Sequence, residues 1–146
     1  MRRSIFNNQA IIFLTSIFVI FVNILGSVHF ITITLAGVMF YLSQICYKHK
    51  MYYTLFFVLI AFLVIEITQN LAPFSLFLIS FLLYTIVLPI IDRMFSVEKL
   101  KLIIDVVLFY LSVILVHYMA TDELLLSFGY ILTNIMLDIV IIGLFL

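Results

Sequence analysis

Six long apolar runs, separated by short polar interruptions, set the pattern of this chain. They fall roughly at 10–25, 30–47, 51–68, 73–91, 97–120 and 124–146. A helix that crosses a bilayer needs about 20 mainly apolar residues, with a range of ~17–25, and each run is in or near that range. The connections are a few residues long, which predicts sequential helices packed as antiparallel neighbours. The expected fold is all-α: a polytopic membrane protein with six transmembrane helices in one bundle and a single domain over 1–146. No internal repeat, low-complexity tract or linker divides it.

The stretch 61–78, AFLVIEITQNLAPFSLFL, breaks the pattern most sharply. Glu66 stands near the end of an apolar segment, Thr68, Gln69 and Asn70 interrupt it, and Pro73 opens the next. A carboxylate near the hydrocarbon costs ~2.5–3.5 kcal/mol on insertion scales, so Glu66 is expected to find a partner or reach the interface. Pro73 suits the first turn of the fourth helix, where its missing N–H would be unpaired anyway. Pro89, inside the fourth run, is expected to kink the last turns and free the carbonyl of Thr85. Thr121 is expected to cap the sixth helix, with Asp122 and Glu123 at the positive end of its dipole.

Composition turns the pattern into a class. The 146 residues are 67% hydrophobic and 10% charged, with a mean hydropathy of +1.41. A soluble core of this length cannot hide so much apolar surface. Seven basic residues balance seven acidic ones, so net charge gives no sign of a nucleic-acid partner. Their placement is more informative. Arg2 and Arg3 precede the first run, Lys48 and Lys50 lie between the second and third, and Arg93, Lys99 and Lys101 lie between the fourth and fifth. With six spans these places share one side, which the positive-inside rule makes cytoplasmic. The connections at 26–29, 69–72 and 121–123 contain no Lys or Arg. Both termini are therefore expected in the cytoplasm, with the chain a multi-pass membrane protein. Tyr47, Tyr52 and Tyr53 flank the Lys48–Lys50 turn and suit the inner headgroup belt. Met1-Arg2-Arg3 before an apolar run mimics a secretory signal, but no A-x-A-like site follows, so the first helix is read as retained. Cys46 is the only cysteine, which rules out an intrachain disulfide.

Candidate chemistry is sparse. Asp105 and Asp138 lie at comparable depths in the fifth and sixth runs. They are expected either to share a proton as a carboxylate pair, or to act separately, Asp105 reaching back to Lys101 and Asp138 hydrogen-bonding within the bundle. Tyr130, Asn134 and Asp138 recur at i, i+4 and i+8 and form one polar stripe. Glu66, Asn70, Asp105, Asn134 and Asp138 are thus the candidate intramembrane polar residues, and Arg93, Lys99 and Lys101 the candidate cytoplasmic loop contacts. His29, Glu66 and His117 fall near the outer helix ends, but no local motif joins them and no zinc spacing occurs, so no metal site is assigned. Gly129 with Thr133, and Thr32 with Ala36, form small-xxx-small pairs that allow close helix approach. There is no P-loop, G-x-S-x-G, H-E-x-x-H or Gly-rich dinucleotide turn. Neither catalytic residues nor a cofactor are assigned, and a non-enzymatic protein is expected.

Over 57–93, FVLIAFLVIEITQNLAPFSLFLISFLLYTIVLPIIDR, the chain resembles the rod-shape-determining MreD family. That family has a third helix ending in an acid, a short turn, and an aliphatic helix leading to a basic cytoplasmic loop; Glu66 stands in the acid's place. Members usually have Asp there and glycines in the turn, where this chain has Glu66 and Pro73. The resemblance implies a scaffold of the bacterial inner membrane in the cell-wall elongation machinery, with membrane lipid, MreC-like and MreB-like proteins, RodA and a penicillin-binding synthase as partners. It also implies an architecture similar to the substrate-binding subunits of energy-coupling-factor transporters, which is analogy rather than evidence of transport. The competing expectations are a small-molecule-binding subunit or carrier of that type, using Glu66, Asn70, Asn134 or Asp138, and a proton-linked transport component using Asp105 and Asp138.

Overall fold

The computed structural model describes residues 9–29, 33–121 and 128–145, and these form helices and connecting turns with no strand. In chain order the helices are α1 (Gln9–His29), α2 (Ala36–His49), α3 (Tyr52–Thr68), α4 (Ser75–Leu82), α5 (Leu88–Met94), α6 (Glu98–Thr121) and α7 (Phe128–Phe145). A π-helical turn, Leu83–Val87, joins α4 to α5, so the two make one rod, Ser75–Met94. Pro89 lies in the first turn of α5. The Leu88 N–H reaches back five residues to the Leu83 carbonyl. The helix thus meets its proline with a locally wider turn, a known response to a break in the i→i−4 ladder.

Three rods, Gln9–His29, Ser75–Met94 and Glu98–Thr121, are long and apolar enough to cross a membrane. Tyr52–Thr68 and Gly129–Leu144 are apolar but shorter. This differs from six full-length spans, and the largest departure is α2. The second run was expected to be helical over 30–47. Residues 33–35 are not helical, and the helix runs for only 14 residues, Ala36–His49. At 1.5 Å per residue that is about 21 Å, against a hydrocarbon thickness of ~30 Å.

The short helix is nevertheless the centre of the protein. It packs against α1, α3, α4, α6 and α7. Nine of its 14 residues are buried, among them Gly37, Phe40, Leu42 and Cys46. Phe40 stacks on Phe109 of α6 at 4.5 Å between ring centroids and 11° between planes. Phe62 of α3 lies beside the same ring at 6.4 Å, in the offset spacing aromatic pairs favour. The outer helices show the opposite pattern. α1, α4 and α7 turn large apolar side chains outward, including Leu14, Phe18, Phe21, Leu78, Leu132, Met136 and Val140.

Candidate functional site

A helix that begins inside a structure leaves its first N–H groups without partners. The residue before α2, Leu35, has left-handed backbone angles (φ 51°, ψ 28°) and no side chain able to cap. α7 supplies an acceptor, and side chains of α1 and α6 join it. Asp138 of α7 accepts the Gly37 N–H through Oδ2 at 2.8 Å. The same oxygen accepts the Tyr110 hydroxyl of α6 at 2.5 Å. Asn134, one turn earlier on α7, accepts the Thr34 N–H at 3.0 Å. Asn23 of α1 donates to the Thr34 carbonyl at 2.8 Å. Both backbone groups of Thr34 are therefore met by asparagine side chains from different helices. Its hydroxyl lies 3.4 Å from that of Tyr110. The cluster is closed off: Asp138 is 0% exposed and Asn23 2%. One side-chain oxygen on each, Asp138 Oδ1 and Asn23 Oδ1, has no hydrogen-bond partner among the described residues.

Its depth follows from the helix register. Asn23 lies six residues before the end of α1, or roughly 9 Å along the axis. Tyr110 lies eleven residues before the end of α6, or roughly 16 Å. Irregular backbone so far from the helix ends needs protein partners, which Asn23 and Asn134 supply to Thr34.

Glu66 does the same for α4. Its Oε2 accepts the Phe74 N–H at 2.7 Å and its Oε1 the Leu76 N–H at 2.7 Å. The Ser75 hydroxyl lies 3.5 Å from Oε1. Phe74, like Leu35, is left-handed (φ 64°) and offers no cap of its own. In both places a carboxylate from another helix meets the N–H of the second helical residue, at the positive end of the dipole. The partner Glu66 required is thus a helix start. The turn between α3 and α4 is closed from the other side as well. Asn70 is left-handed (φ 55°). The Leu71 N–H bonds the Glu66 carbonyl at 2.9 Å and the Asn70 N–H the Ile67 carbonyl at 3.5 Å. This paired pattern commonly ends a helix, with Gly or Asn at the left-handed position. Pro73 sits in the turn rather than in the first helical turn, because α4 starts two residues later, at Ser75.

The remaining candidates lie apart. Asp105 precedes Tyr110 by five residues, which turns it about 140° away around α6, and no bond joins it to Asp138. Its charged neighbours are Asp92 and Lys101. Lys101 forms its ion pair with Asp92, at 2.8 Å, rather than with Asp105. Arg93 and Lys99 are exposed near that pair. Tyr130 is 51% exposed, so the polar stripe on α7 is buried only at Asn134 and Asp138. His29 is exposed at the end of α1, Glu66 is buried, and His117 borders a groove. Among the described residues no group of three or more His, Cys, Asp or Glu is placed to hold a metal ion. Gly129 and Thr133 face outward. Thr121 is the last residue of α6, its hydroxyl bonded to the His117 carbonyl at 2.9 Å. Arg2, Arg3, Phe30, Thr32, Asp122, Glu123 and Leu124 lie outside the described residues.

Sequence reasoning missed Asn23, Thr34, Gly37 and Tyr110. Asn23 is the lone amide in the first apolar run and Gly37 the lone glycine in the second, so each carried a signal. No family model, curated protein or solved structure matches the chain.

Proposed function

We propose that this chain is a multi-pass membrane protein acting as a non-enzymatic scaffold of the bacterial cell-wall elongation machinery, as its MreD resemblance implies. One observation carries the reading. The two fully buried acids, Glu66 and Asp138, direct their oxygens at helix starts, so the groups costliest to hold in a membrane build architecture. The outward apolar side chains of α1, α4 and α7 suit contact with lipid. In this reading all six rods lie in the membrane, and α2 is carried within the ring of its neighbours. Lys48 and Lys50 end α2, and Arg93, Lys99 and Lys101 surround the α5–α6 junction. Alternating rods bring these two groups to one end, which supports a cytoplasmic basic face. Partners of the MreC, MreB, RodA and penicillin-binding synthase kind would dock on outer helix faces and on this basic end.

Two measurements test the proposal. With Cys46→Ser as background, His49→Cys and Ser96→Cys should be shielded from a membrane-impermeant thiol reagent in intact cells, and Gln69→Cys should react. Labelling of position 49 or 96 with position 69 protected would reverse the orientation. Co-purification in mild detergent should recover elongation proteins; their absence from a folded, membrane-inserted sample would remove the scaffold role.

A further inference from the structure

Between the turn after α3 and the last two turns of α6 runs a groove of about 230 Å³. On α6 it is bordered by Val113, Val116, His117, Ala120 and Thr121, the spacing of one helix face. Ala72 on the facing turn and Ala120 on α6 leave the space open, where longer side chains would fill it. The lining divides by chemistry. Asn70, Ser75, His117 and Thr121 are its polar residues, and Leu71, Val113 and Val116 its larger apolar ones. Leu71 and Val113 also line a narrower cavity of about 30 Å³ that reaches Thr34 and Asn134. Those two residues thus stand between the groove and the packed core.

Three features define the occupant. The groove lies at helix ends, where membrane-spanning rods leave the hydrocarbon, and Phe74, next to the lining residue Ser75, is exposed. A molecule seated there meets lipid on one side and polar groups on the other, so it is an amphiphile. The lining contains donors but neither Lys nor Arg, which suits neutral acceptors better than a phosphate. Glu66 is turned away, its oxygens on the Phe74 and Leu76 N–H groups. We infer that this groove holds the glycerol-ester region of one membrane lipid. The Asn70 amide and His117 imidazole donate to its ester carbonyls, and its first acyl methylenes lie on Leu71 and Val113. The inference rests on the membrane-embedded reading and is independent of the scaffold role.

The test uses the full chain in nanodiscs of dioleoylphosphatidylcholine mixed equally with its ether-linked analogue, which lacks ester carbonyls. Native mass spectrometry of the released protein should show one retained lipid per chain, the ester form favoured about 25-fold, from two hydrogen bonds. His117→Leu should cut that preference about fivefold, the worth of one hydrogen bond. Ala120→Phe should abolish retention by filling the groove; if that variant loses its helical circular dichroism, Ala72→Leu narrows the groove from the opposite wall and decides the matter. Equal retention of ester and ether lipid overturns the inference, as does full retention by a folded groove-filling variant. Displacement of the lipid by inorganic phosphate, or by a water-soluble vitamin, overturns it in favour of a soluble ligand. Failure of the membrane reading looks different: the chain would not float with carbonate-washed vesicles.

Discussion

The same change, glycine to alanine in a helix, is expected to have opposite effects at Gly37 and Gly143. An alanine in a helix interior is worth about 1 kcal/mol more than a glycine, from propensity alone. At Gly143 a Cβ meets nothing within 4 Å, so Gly143→Ala should gain up to that amount. At Gly37 a Cβ would stand 2.6 Å from Asp138 Oδ2, 3.1 Å from Val106 Cγ1 and 3.2 Å from Asp138 Cβ. Real carbons do not approach an oxygen so closely, so Asp138 must swing away or α7 must retreat. Either movement strains the bonds from the Gly37 N–H and the Tyr110 hydroxyl. A buried polar group left unsatisfied costs about 1–3 kcal/mol, and two donors are at risk here. Set against the propensity gain, Gly37→Ala should lose roughly 1–4 kcal/mol. The assay is reversible unfolding in mixed micelles by titration with dodecyl sulfate, followed by helical circular dichroism. A double-mutant cycle isolates the cause: with Asp138→Ala as background only the 3.1 Å approach to Val106 Cγ1 remains, and Gly37→Ala should cost much less than in the parent. A Gly37→Ala protein as stable as the parent would refute the close approach of α2 to α7.

Glu66→Ala should destabilise by about 2–3 kcal/mol, because two N–H groups at the start of α4 lose their acceptor. Glu66→Gln keeps one acceptor oxygen and should cost about half as much; equal stability of all three proteins would show that the cap contributes nothing. Asp105→Asn and Asp138→Asn should add within about 0.5 kcal/mol in the same unfolding assay, and a larger coupling would restore the carboxylate pair.

The third helix was legible almost to the residue, 51–68 expected against Tyr52–Thr68 observed, because its ends are written locally. Lys48 to Lys50 mark one turn, and Thr68 to Asn70 the other. The second helix was not. Ile33 and Leu35 are as apolar as anything in α2, and hydropathy carries them into the helix. What holds Thr34 outside the helix is the supply of partners from Asn23 and Asn134, while Asp138 meets the first turn at Gly37. Asn134 and Asp138 stood out as polar letters on one face, but their partners are main-chain groups, and a backbone N–H has no letter. Glu66 shows the same limit. Its need for a partner was evident, but the partner is again a main-chain group, the Leu76 N–H ten residues ahead. At Pro89 the position of the disturbance was readable, but its form, a π-helical turn at Leu83–Val87, was not.

The two borrowed caps differ in when they become available to a growing chain. Glu66 finds its acceptor role within ten residues, so α4 is complete as soon as it emerges. Gly37 must wait for a carboxylate 101 residues downstream. At synthesis rates of about 5–20 residues per second, that wait lasts roughly 5–20 s. During it the amino end of the central helix lacks this carboxylate, and only the arrival of α7 supplies it.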